Sequence, residues 1–150
     1  RFGVHSMSES AERLRATVDA CEGERLVFLA HNGPSGLGAT ATDIWGCDFK
    51  RSAGDWGDPD LTLAITHARE TGRQVLAVVA GHMHHRTRGC AERTWYVERD
   101  GTAYVNAAQV PRILERDGRR LHHHVALELT GDACHVEAMW VPEARDDDNG

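Results

Sequence analysis

Gln74-Val75-Leu76-Ala77-Val78-Val79-Ala80, followed at once by Gly81-His82-Met83-His84-His85, decides how this chain is read. After Gln74 every residue of the run is apolar, which suits a strand covered on both faces, as in a parallel sheet. The run then breaks into a glycine and three histidines. The same plan occurs upstream, where Leu26-Val27-Phe28-Leu29-Ala30 runs into His31-Asn32-Gly33-Pro34-Ser35-Gly36-Leu37-Gly38. Three glycines and a proline within eight residues make that second stretch a loop. Between the two strands, Asp58 can cap a helix that starts at Pro59, buries Leu61, Ile65 and Ala68, and ends at Gly72. Strand, helix and strand in that order predict a parallel pair.

Outward from this unit, Ser6-Met7-Ser8-Glu9 has the spacing of a capping box, and Ala11, Leu14, Val18 and Cys21 predict an amphipathic helix over 8–22. Residues 39–57 have no usable period and read as a long ordered loop. Beyond residue 90 the texture changes to hairpins. Thr94–Glu98 and Thr102–Val105 flank Asp100-Gly101, and strands near 120–129 and 133–141 flank Gly131-Asp132. In the last pair Leu121, Val125, Leu127 and Leu129 share one face, as do Cys134, Val136, Ala138 and Trp140. The expectation is one α/β (α+β) domain over 1–142 and a disordered acidic tail over 143–150.

Length and composition narrow the class. A chain of 150 residues can bury a real core, and 41% hydrophobic with 27% charged residues excludes wholesale disorder. No apolar run approaches the roughly 20 residues of a membrane span. The net charge is −6 and Lys50 is the only lysine, so nothing in the balance marks a nucleic-acid or anionic-membrane partner. Cys21, Cys47, Cys90 and Cys134 form no C-x-x-C pair and predict free thiols in a reducing, cytoplasmic setting. The first residue is Arg1, so the chain reads as a piece of a longer one.

The chemistry concentrates in the two histidine loops. Loops beyond the carboxyl ends of parallel strands gather into one site, so His31, His82 and His84 can converge. If the extended backbone continues past Ala80, His82 and His84 point the same way, and Gly81 lets the backbone approach a ligand. Neutral imidazoles suit Zn, Mn, Fe or Co. Next to the pair, His85 could support the ligands from behind or face solvent. His122-His123-His124 reads as a sheet surface, with only His123 on the apolar face. Arg112 could neutralise a phosphate or hold a structural ion pair. Asp58 and Asp60 could buttress the site, although capping accounts for Asp58. Trp45, Trp56, Trp95 and Trp140 are read as packing.

Gly81-His82-Met83-His84 resembles the G-H-x-H element of the calcineurin-like metallophosphoesterases, and Leu29-Ala30-His31-Asn32-Gly33-Pro34 resembles their upstream strand-end histidine. Together with Gly54-Asp55-Trp56-Gly57-Asp58-Pro59-Asp60-Leu61 and Asn106-Ala107-Ala108-Gln109-Val110-Pro111-Arg112, these are similar to a branch found in cyanobacteria and plastids, across about residues 8–141. The resemblance implies a two-sheet sandwich flanked by helices (αββα). It also implies two divalent metals (Mn, Fe or Zn) and hydrolysis of phosphate mono- or diesters by a metal-activated water. His31 and His82 would bind one metal and His84 the other, with Asn32, Gly33 and Arg112 toward the phosphate. A photosynthetic eukaryote as source would place the protein in the plastid stroma.

The pattern departs at its start. The D-x-H, G-D-x-x-D and G-N-H-D/E elements that supply the carboxylates are absent, and His5 sits in Gly-Val-His-Ser. Gly54-Asp55-Trp56-Gly57-Asp58 follows His31 instead of preceding it and reads as a loop and a helix cap. The chain therefore looks like the C-terminal half of the fold, inactive alone and needing an N-terminal half as partner. The alternative is a non-catalytic, degenerate module used for assembly or regulation.

Overall fold

A computed structural model of the chain describes residues 3–144. The acidic run expected to form a tail lies, from Arg145 onward, outside the described residues. Helix α1 (Met7–Ala20) begins where the capping spacing predicts, with the Ser6 side chain accepting from the Glu9 N–H. The Glu9 carboxylate reaches back to the His5 N–H at 2.8 Å. Strand β1 (Arg25–Leu29) leads into the first histidine loop, and α2 (Pro59–Glu70) follows the long loop. Strand β2 (Gln74–Ala80) has the bounds read from the sequence. Asp58 stands at the N-cap of α2, but its side chain makes no capping bond.

Strands β1, β2 and β4 (Thr102–Asn106) run parallel, and β3 (Tyr96–Arg99) adds antiparallel to β4, giving the order β1-β2-β4-β3. Asp100 and Gly101, both at positive φ, make the two-residue turn between β3 and β4. A second, antiparallel sheet holds β5 (Ile113–Arg116), β6 (Arg119–Thr130) and β7 (Ala133–Pro142). The sequence reading passes over β5, although Asp117-Gly118 carries the same turn signal and the same positive φ angles. Among the described residues the fold is thus mixed α/β, with two sheets and two helices. Helix α1 packs on α2, α2 on β2, and β7 touches β2 and β4. No described helix is long and apolar enough to cross a membrane.

The core lies where α2 meets the first sheet. Leu61, Ile65 and Ala68 of α2 meet Val75 and Val78 of β2 and Tyr104 of β4, with Val18 of α1. The long loop contributes more than its lack of period suggests, since Ile44, Trp45 and Cys47 are all buried to 1% exposure or less. Strand β1 corrects a second expectation. Only its Leu26 and Phe28 face packs on the core; Val27 and Leu29 point to the other face, which the second sheet covers at β2 and β4, and they stay exposed. An apolar run does not tell a strand covered on both faces from one covered on a single face.

Of the four tryptophans, Trp45 is core, whereas Trp56 is exposed, with Phe49 edge-on at 5.0 Å and the Lys50 ammonium 4.0 Å from its ring.

Candidate functional site

Parallel pairing of β1 with β2 puts their carboxyl ends side by side, and a backbone bond locks them there. The Gly81 N–H donates to the His31 carbonyl at 3.0 Å. The two imidazoles of His31 and His82 then meet edge to face, with centroids 4.9 Å apart. His84 lines the same cavity, of about 660 Å³, together with Ala107, Ala108, Gln109, Val110 and Arg112. The three histidines therefore line one cavity, with His31 and His82 in ring contact.

The local backbone differs from expectation. Extended chain stops at Ala80, and the Met83 N–H closes back onto the Gly81 carbonyl at 2.9 Å. This γ-turn holds His82 at φ +69°, in the left-handed region that a non-glycine residue seldom occupies. Such a conformation costs about 1–3 kcal/mol and persists only where the surroundings impose it. Gly81 itself is not crowded, because a Cβ there would sit at ordinary contact distance from its neighbours.

Two buried polar side chains impose the turn. Asn106, fully buried at the end of β4, donates from Nδ2 to the carbonyls of Met83 at 2.6 Å and Ile44 at 3.2 Å. Its Oδ1 accepts from the Ala108 N–H. Arg93 donates from Nε to the His84 carbonyl at 2.9 Å and from its neighbouring nitrogen to the carbonyls of Asp43 and Gly46. Asp48 lies 3.5 Å from its other nitrogen. Burial pulls the guanidinium below its ordinary pKa, while Asp48 opposes the shift. Both side chains thus tie the histidine loop to residues 43–46 of the long loop. Sequence reasoning missed both, because a single Arg or Asn carries no sign of its burial.

Other candidates fall elsewhere. Asn32 is buried and donates to the Trp56 carbonyl at 2.7 Å and to Asp58 Oδ1 at 3.1 Å, while its own Oδ1 has no partner among the described residues. Gly33 is pressed against Trp45, where a Cβ would come within 2.1 Å of the indole. Neither lines the histidine cavity. Arg112 does line it, is exposed, and forms no ion pair among the described residues. His85 turns to a neighbouring cleft, held by a 2.6 Å bond between Nε2 and the Asn106 carbonyl. Asp60 accepts from the Ser10 hydroxyl, and with Asp58 and His31 it lines a groove beside α1.

A metal can be tested against this donor set. Three neutral imidazoles suit a transition metal, but two dications held close together need carboxylates between them. Among the described residues no group of three or more His, Cys, Asp or Glu is placed to hold a metal ion. The described residues alone therefore do not fit a dinuclear centre. Compared with models of known protein families, with curated proteins and with solved structures, the chain matches none.

Proposed function

We propose that this chain carries the histidine half of a metal-dependent phosphoesterase of calcineurin-like type, its two sheets packed as a sandwich with flanking helices. One observation supports the reading most directly. His31 and His82, from loops after two neighbouring parallel strands, meet at 4.9 Å in a cavity that His84 also lines. The substrate is a phosphate mono- or diester, and Arg112 at the rim is the cation that would neutralise it. The partner is an N-terminal half, from the same parent chain or another, that brings the carboxylates for two Mn, Fe or Zn ions. No catalytic step is assigned to these residues alone, because their donor set does not close a site.

The test is an assay of a generic phosphomonoester and phosphodiester with Mn2+. The chain alone should be inactive. The chain joined to a half bearing D-x-H, G-D-x-x-D and G-N-H-D/E should turn over, and His82→Ala should abolish it. Metal-dependent turnover by the chain alone, lost in His82→Ala, would remove the need for a second half. An inactive joined protein would favour the non-catalytic module, the reading that the incomplete donor set supports.

A further inference from the structure

A second cleft, of about 540 Å³, adjoins the histidine cavity and shares Gln109 and Val110 with it. One wall comes from the connection between β2 and β3, with His85 and Trp95, and the other from the second sheet, with His123 of β6 and Ala138 of β7. The rings are set for flat guests. His85 lies nearly parallel to Trp95, with planes 28° apart and centroids 6.3 Å apart. His123 stands edge-on to His85 at 6.1 Å, its other side packed on Trp140 at 5.1 Å. His85 is fixed by the Asn106 carbonyl, so the walls are preorganised. Hydrogen-bonding side chains sit around the rings, with Arg86 and Glu92 on one loop and Gln109 on the partition.

We propose that this cleft binds the planar heterocyclic ring of a ligand whose phosphate lies in the neighbouring histidine cavity. A nucleobase-like ring would stack on the near-parallel His85–Trp95 pair and meet His123 edge-on, with its ring nitrogens toward Gln109, Arg86 or Glu92. Stacking tolerates many rings because each presents a π-face, so the flat walls set the class and the polar rim selects within it. Burial holds His123 below the usual histidine pKa, with His85 and His124 adding to the shift, which favours the neutral ring at pH 7. The ring site stands on its own geometry; only the link to phosphate rests on the phosphoesterase reading.

The experiment titrates the chain, free of metal, with adenosine, adenosine 5′-monophosphate and ribose 5-phosphate. Tryptophan fluorescence and the His123 and Trp95 side-chain NMR signals report binding. Adenosine should saturate and shift both residues, and the monophosphate should bind about tenfold more tightly than ribose 5-phosphate. Ala138→Trp, which fills the cleft without removing a wall, should abolish adenosine binding and leave ribose 5-phosphate unaffected. Its circular dichroism and urea midpoint check that it folds. If it does not, His123→Ala replaces it, with the same expectation. Failure of adenosine to saturate, or shifts confined to other residues, overturns the ring site. Adenosine binding without any gain from the phosphate overturns only the link between the two cavities.

Discussion

Arg93 donates its Nε–H to the His84 carbonyl at 2.9 Å from a side chain only 1% exposed. A buried guanidinium is costly unless every nitrogen finds an acceptor, and here three carbonyls and a carboxylate receive it. Arg93→Met leaves the His84 and Gly46 carbonyls without a donor and Asp48 without its cation, and should cost about 3–5 kcal/mol in urea unfolding. Arg93→Lys should recover little of this, since an ammonium cannot reproduce the fork. A loss below about 1 kcal/mol in both would show that the clamp is not under load.

Asn106 makes the companion test. Asn106→Ala strips donors from the Met83 and Ile44 carbonyls and the acceptor from the Ala108 N–H, and should cost about 3 kcal/mol. Because it also releases the γ-turn, the His82 signal in an NMR spectrum should broaden or split. A sharp, unshifted His82 resonance would count against the proposed imposition of the turn.

Gly33→Ala should destabilise by about 3 kcal/mol or more, because the new Cβ would lie inside the Trp45 ring. Gly36→Ala is the contrast in the same loop, since nothing lies within 4 Å of a Cβ there and only its φ of +97° resists substitution. Thermal unfolding of the two variants side by side should rank Gly33→Ala clearly lower.

His123 predicts a pH dependence. Its folded pKa lies below 6.5, chiefly through burial, so the unfolded chain binds the proton more readily. Stability should therefore be fully present above pH 6.5 and decline as pH falls from there toward the folded pKa. His123→Phe, which keeps a ring beside Trp140, should flatten that part of the curve. Urea midpoints at pH 8 and pH 5 for both proteins check this, and an unchanged difference between the two pH values would refute it.

Much of the fold was legible because its signals are local. Strand β2 is Gln74 followed by six apolar residues, α1 has its Ser6–Glu9 spacing, and Asp100-Gly101 carries a turn in two residues. The three histidines could be brought together from strand order alone. What escaped depends on contacts far apart in sequence. Arg93 reaches Asp43 across 50 positions and Asn106 reaches Ile44 across 62, and no local pattern announces either. Strand β5 is short and almost wholly exposed, so only its Asp117-Gly118 turn marked it. The exposed face of β1 reflects where the second sheet packs, over β2 and β4, which composition does not encode.

The double tether of the histidine loop has a mechanical consequence. Asn106 holds Met83 and Ile44, and Arg93 holds His84, Asp43 and Gly46, so residues 81–85 and 43–46 share two rivets. Neither segment can swing away while the other stays, because the move would strand the same two buried side chains. The pair should therefore open as a single unit in hydrogen exchange. Changes made in the long loop, more than thirty residues upstream in the chain, would then be felt as a change in the stiffness of the histidines.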